Sequence, residues 1–177
     1  NVNSCFYHQE IDTNVFSQSI VPDKKQISSF VIGLPDEEVF FKYKEALNEF
    51  TFTAYASKYA PFISTIKELS DKISECDYVL NHKPRADGFG HILYSSAFVG
   101  RPLLINFNDY RDKLGGELLI DGVTAIDISS RTTAQNVELI RKSNPKQMGL
   151  NIAKRVRELV DYETEAQNIK NFLSNLS

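Results

Sequence analysis

The residues with chemistry to offer cluster in one stretch. His82, Lys83 and Arg85 lead into Asp87, Gly88, Phe89, Gly90 and His91, with Ser95 four residues further on. A run of about nine residues with good helix content follows the Gly-Phe-Gly turn. Gly100-Arg101-Pro102 stops it, and an apolar strand begins at Leu103. Gly90 leaves the backbone free to approach a ligand closely. The amides of the turn after it have no intrahelical partner, and the helix dipole adds partial positive charge there. Such a loop at the carboxyl end of a strand is a natural phosphate site. It serves equally as a plain strand-to-helix connection, and chemistry alone leaves both readings open. The spacing is neither the GxGxxG dinucleotide fingerprint nor a Walker phosphate loop.

The elements that must position this stretch are legible from periodicity. Ile27 to Ile32 is β-rich and ends at the Gly33-Leu34-Pro35 turn. Asp36 then caps a helix over roughly 37–49, with Val39, Phe40, Tyr43, Ala46, Leu47 and Phe50 at helical spacing. Thr51 to Ala56 is a second strand, and Pro61 opens the next helix, whose apolar face carries Ile63, Ile66, Leu69 and Ile73. Tyr78-Val79-Leu80 is a short buried strand that delivers the loop 81–91. Leu103-Leu104-Ile105 follows the central helix, then a polar loop over 106–116 and two further short strands, 118–120 and 124–126. The last third is helical: Thr132 or Thr133 caps one segment, Asn144-Pro145 breaks it, and apolar stripes continue to Leu176. Ahead of all this, residues 1–26 form a lead-in segment. In it Cys5-Phe6-Tyr7-His8 reads as a short strand, and Ile11 to Phe16 as a turn ending in a buried aromatic anchor. Phe6, Tyr7 and Phe16 read as core, and His8 and His82 as ordinary strand or loop histidines. Strands alternating with helices predict an α/β fold: a three-layer Rossmann-like domain, its mostly parallel sheet covered by helices on both faces, with extra carboxyl-terminal helices.

Composition narrows the function. The chain has 177 residues, enough for one domain with a sizeable core. Its formal net charge is −3, where a nucleic-acid-binding domain usually shows a basic excess, so no nucleic-acid partner is expected. No apolar run reaches the roughly 18–20 residues that span a bilayer. A chain opening on Asn1 without a signal-peptide pattern is expected to be a piece of a longer protein. Cys5 and Cys76 make no disulfide framework, which points to a reducing compartment. His8, His82 and His91 lack metal-ligand spacing.

The central stretch resembles retaining glycosyltransferases of the GT-B fold, specifically the carboxyl-terminal, donor-binding half of the group-1 (glycogen-synthase-like) superfamily. That family's pattern is Glu-Gly-Phe-Gly, four residues, Glu-Ala, three residues, Gly-x-Pro, then an apolar strand. Asp87-Gly88-Phe89-Gly90 and Gly100-Arg101-Pro102-Leu103 match it in register. The family's linker before the donor domain, Gly-Val-Asp-x-x-x-Phe, is similar to Ile11-Asp12-Thr13-Asn14-Val15-Phe16. The resemblance implies that 1–26 follows an acceptor domain absent from this chain, and that 27–177 binds the donor, a nucleotide diphosphate-sugar.

Roles then follow residue by residue. Asp87 stands where the first acid of the family's acid pair lies near the donor sugar, and is implied as the catalytic position. Gly88 belongs to the same turn. Phe89, Gly90 and His91 would offer backbone amides to the sugar or the diphosphate. Ser95 stands where the second acid usually holds the ribose, a departure, since a serine is neither charged nor bidentate. The family places Arg and Lys after its first donor-domain strand; here that place reads Gly33-Leu34-Pro35-Asp36-Glu37, with no cation. Lys83, Arg85 and Arg101 either compensate near the diphosphate or are ordinary surface charges. Neither a metal nor a cofactor is implied. The implied partners are the nucleotide-sugar and a glycan acceptor held by the absent domain. Lys154, Arg155 and Arg157 would give peripheral membrane contact, but Glu158 and Asp161 beside them read as a solvated face. The implied setting is polysaccharide biosynthesis in the cytoplasm or at the inner face of the membrane. A non-catalytic domain with a degenerate donor site is the alternative.

Overall fold

The computed structural model describes residues 5, 7–30, 34–55, 63–82 and 90–175, the side chains of 34–36 apart. Its strands are β1 (Gln26–Ser29), β2 (Thr51–Ala54), β3 (Tyr78–Asn81), β4 (Leu103–Ile105) and β5 (Ala125–Asp127). They form one parallel sheet in the order β2-β1-β3-β4-β5. Among the described residues six α-helices accompany them: α1 (Leu34–Ala46), α2 (Ile66–Ser74), α3 (His91–Val99), α4 (Thr133–Lys142), α5 (Pro145–Leu159) and α6 (Tyr162–Ser174).

Alternation along the strands builds the layers. Successive side chains of a strand point to opposite faces. Val79, Leu103, Ile105 and Ala125 therefore join the core under α2, α3 and α5. Tyr78, Leu80, Leu104 and Ile126 join the core under α1 and α4. The expected three-layer α/β architecture is observed. Helix α3 is its pivot: every residue from Ile92 to Val99 is buried, as an all-round apolar helix requires.

The lead-in segment shares this core. Phe16 is 1% exposed and Ile11 4%, both in the cluster with α3. Asp12 shapes the turn between them, its carboxylate accepting from the Asn14 amide and its carbonyl from the Phe16 amide. The expected aromatic anchor is thus Phe16. Burying one such ring contributes roughly 1.5–3 kcal/mol.

Several boundaries differ from expectation. Helix α1 starts at Leu34, because Pro35 fits a first helical turn, where its missing N–H is not needed. Helix α2 starts at Ile66. Thr65 accepts from the Glu68 amide while Glu68 accepts from the Ser64 amide and hydroxyl, so the cap sits there; Pro61 lies outside the described residues. Leu118-Leu119-Ile120 is not a strand. Leu114–Leu118 is a 3₁₀ turn, and the Thr124 hydroxyl donates to the Leu118 carbonyl and accepts from the Ile120 amide, folding the segment into a tight turn. Tyr7 and His8 are in no strand, for the His8 amide donates to Glu165 instead. Tyr7 is 47% exposed and is not core.

Candidate functional site

The chain runs outward from β1 to β2, then crosses back to place β3 on the other side of β1. Where strand order reverses, the loops leaving two neighbouring strands diverge and open a crevice at their carboxyl ends. That point lies between β1 and β3. The loop leaving β3 leads into α3, so α3 begins at the switch point. Lys83, Arg85, Asp87, Gly88 and Phe89 lie on that loop, outside the described residues. Gly90, His91 and Ser95 lie within them.

Gly90 is the N-cap of α3 and sits at φ +77°, left-handed backbone that an L side chain resists. Its carbonyl accepts the first helical bond, from the Tyr94 amide at 3.0 Å. A Cβ at Gly90 would stand 3.4 Å from Tyr110 Cε1. Tyr110 closes a 3₁₀ turn (Phe107–Tyr110) after β4 and is buried beneath the start of α3. Its hydroxyl accepts from Asn81 Nδ2 at 3.1 Å. Asn81, 1% exposed, is the last residue of β3. Asn81 and Tyr110 thus fix the floor on which the turn rests, and sequence reasoning passed over both. The available signal was an amide side chain ending an apolar strand, where burial demands a partner.

His91 is exposed on the first position of α3. Its Nδ1 lies 3.3 Å from Ser95 Oγ, one helical turn on. Its ring meets Phe16 edge-on at 6.0 Å between centroids. Ser95 has no exposed surface. A ribose contact from Ser95 does not fit this placement, because the hydroxyl is enclosed on the inner side of α3 and faces His91.

Arg101 is neither a surface charge nor near the diphosphate position. It stands at the far end of α3, fully buried, and cannot serve a ligand at the carboxyl edge. Its Nη1 donates to the carbonyls of Ser19, Val99 and Gly100, and its Nη2 to Ser19 Oγ and the carbonyls of Ile20 and Ser74. Burial pulls the guanidinium down from its ordinary value, opposed by Cys76 and Asp77 nearby. Three cations of α5 are occupied as well. Lys154 pairs with Glu158, Arg155 donates to the Glu117 carbonyl, and Arg157 donates to the Phe98 carbonyl and lies over the Phe98 ring.

On the α1–α4 side of the same edge, His82 lines a cavity of about 180 Å³ with Lys42, Tyr43, Asn106 and Ser129. Asp127 closes β5 there. Burial pushes its carboxyl up, but hydrogen bonds from Ser129, the Phe107 amide and Ser130 outweigh this and hold it below the usual carboxylate range. It is a tie between the β4 and β5 loops. Among the described residues, no group of three His, Cys, Asp or Glu is placed to hold a metal. No helix among them is long and apolar enough to cross a membrane.

No protein-family model and no curated sequence matches the chain. Solved structures do. Anabaena HepE in complex with UDP-glucose superposes with a TM-score of 0.65 at 15% identity, over 93% of this chain and 56% of that one. The carboxyl-terminal domain of a group 1 glycosyltransferase, LpcC from Francisella tularensis, gives 0.56 at 16%, over 85% and 96%. The chain has the fold of a GT-B glycosyltransferase domain. Sucrose-phosphate synthase from Thermosynechococcus elongatus shares this GT-B likeness, with a TM-score of 0.65 at 12% identity over 97% of this chain and 51% of that one. This GT-B domain therefore spans about half the length of HepE and of the synthase, and nearly all of the isolated LpcC domain.

Proposed function

We propose that the chain is the donor-binding half of a glycosyltransferase. It moves a sugar from a nucleotide diphosphate-sugar to a glycan or similar acceptor, with retention. Residues 27–177 hold the donor, and residues 1–26 link them to a preceding acceptor domain. The observation that carries this reading is the start of α3: a left-handed glycine opens a helix at the switch point of a GT-B sheet, where an anion gains most from helix amides. That HepE was solved with UDP and with UDP-glucose supports a nucleotide-sugar as the ligand class.

In this reading the diphosphate rests on the first turn of α3, and Lys83 and Arg85 supply positive charge from the loop. Asp87 positions the donor sugar, and Phe89, Gly90 and His91 offer backbone amides to the sugar or the diphosphate. The leaving diphosphate is stabilised electrostatically, without a metal. The setting is polysaccharide synthesis in the cytoplasm, with any membrane contact made by the whole protein.

The test is titration of the chain with UDP, GDP and ADP by ligand-observed NMR, beside Asp87→Ala. Saturable binding of one nucleotide, with its sugar conjugate weakened in the variant, is expected. The chain alone should transfer no sugar, and robust transfer would overturn the domain assignment. One observation favours a second reading, a non-catalytic domain of this fold: the position of the second acid is a fully buried serine. No nucleotide binding at millimolar concentration would decide for it.

A further inference from the structure

Helix α6 is attached unlike the rest of the chain. None of its residues is fully buried, and among the described residues it packs extensively on no other helix or strand. Leu173, in its last turn, is 58% exposed. Two of its side chains grip the lead-in segment instead. The Tyr162 hydroxyl accepts from the Ile11 amide at 3.0 Å and donates to the Gln9 carbonyl at 2.7 Å. The Glu165 carboxylate accepts from the His8 amide at 2.9 Å and pairs with His8 Nδ1 at 2.5 Å. Residues three apart share one face of a helix, so a single face of α6 carries both grips. Beyond them, the Tyr162 ring meets Phe98 at 6.4 Å between centroids.

The docked state leaves one group unsatisfied. His8 Nε2 is enclosed and has no hydrogen-bond partner among the described residues. Its ring stands T-shaped against Tyr94, 5.8 Å between centroids. With Nδ1 committed to Glu165, either protonation state leaves Nε2 bare, as an acceptor or as a donor. Water satisfies it only when the segment opens, and a buried polar atom without a partner favours the open form. A 13-residue helix is marginal in water without tertiary contacts, so the two grips let go together.

We propose that α6 is a detachable strap. Docked, it fixes the backbone of residues 8–11 through Tyr162 and Glu165. Released, it frees residues 8–10, while Ile11 and Phe16, both in the core, keep hold of the chain behind them. In the donor-domain reading above, this segment leads to a preceding domain, and the strap decides whether that connection is rigid. Only this last consequence rests on that reading.

Native-state hydrogen exchange on the chain tests the strap. Val79 in β3, whose amide donates to the Pro102 carbonyl, reports the core. In the wild type the His8 and Ile11 amides should be protected about a hundredfold less than Val79. Tyr162→Phe and Glu165→Ala should each quicken both amides by about tenfold and leave Val79 unchanged. If His8 and Ile11 are protected as strongly as Val79, α6 belongs to the core and there is no strap. If Tyr162→Phe quickens Ile11 and leaves His8 as it was, the two grips are independent and the strap fails as a unit. No nucleotide enters the experiment, so either failure leaves the donor-site reading standing, and failure to bind nucleotide leaves the strap standing.

Discussion

Helix α3 begins and ends on a glycine in left-handed backbone, and its two ends are finished differently. At the closing end Gly100 sits at φ +80°. Its amide reaches the Ala97 carbonyl, and the Arg101 amide reaches the Ser96 carbonyl at 2.8 Å, the Schellman arrangement. The Phe98 carbonyl accepts from Arg157, and the Val99 carbonyl from the Ser19 amide and Arg101. All four terminal carbonyls have donors. At the opening end Gly90 offers no side chain, and no side chain among the described residues accepts from the amides of Ile92 or Leu93. A helix end whose purpose is structural is stitched shut, and a buried cation serves the stitching. The end at the switch point is left to other partners.

The comparison breaks most severely at Arg101. Removing one partner of a buried charged network leaves the other polar groups stranded, at a cost of about 3–5 kcal/mol. Arg101→Met should lose about that much in urea unfolding, while the folded fraction binds UDP as before. A loss below about 1 kcal/mol would mean that water replaces the guanidinium and that the closing end is not sealed.

The paired glycines come next. Left-handed backbone costs an L residue about 1–2 kcal/mol. Gly100→Ala adds a Cβ at 3.2 Å from the Gly149 carbonyl, a contact that cannot yield easily. Gly90→Ala meets only ordinary contacts. Gly100→Ala should therefore destabilise more, without changing UDP affinity. Gly90→Ala should destabilise less and weaken UDP. Reversal of the two affinity effects would place the ligand at the wrong end of the helix.

A smaller effect sharpens the account of the floor. Tyr110→Phe removes the acceptor of Asn81 Nδ2 in a buried site, which should cost about 1 kcal/mol. If the pair supports the Gly90 turn, UDP affinity falls with it. Loss of stability alone would confine the pair to packing.

What was legible in the sequence follows the same division. Period-two strands such as Tyr78-Val79-Leu80 and Leu103-Leu104-Ile105 declared both faces of the sheet, because each residue is committed to one core or the other. Gly90 and Gly100 declared the bounds of α3, because few other residues adopt that backbone. Local signals misled where a side chain far along the chain decides. Leu118-Leu119-Ile120 carries a strand's composition, but Thr124 bends it into a turn. Tyr7 and His8 looked like strand, but Glu165, on the last helix, takes the His8 amide and pairs with its ring at 2.5 Å. Arg101 looked like a surface or ligand cation, since its type is rarely buried and its carbonyl partners come from three separate segments. Within the candidate site, residue types were legible. The Ser95–His91 contact was not, because a serine at that place suggests an exposed hydroxyl until its burial is known.

The finest test of the sealed end is Cys76, fully buried and close enough to feel the positive charge of Arg101. Burial pushes its thiol up to about 12, and Arg101 offsets only part of this. At pH 8 the thiolate fraction is then about one in ten thousand. Only the thiolate reacts, so a thiol reagent should label half-buried Cys5 and spare Cys76 until the chain unfolds. The same shift has a stability consequence of definite sign. Below pH 9, the ordinary value for this thiol, folded and unfolded chains both hold the proton, and Cys76 adds no pH dependence. Above it the unfolded chain releases the proton while the folded chain keeps it, so stability falls as pH rises toward 12. The difference in unfolding free energy between wild type and Cys76→Ala should be flat up to about pH 9 and then shrink by up to about 1.4 kcal/mol per pH unit. A flat difference to pH 11 would mean that the closing end of α3 admits water, and the contrast between its two ends would lose its physical basis.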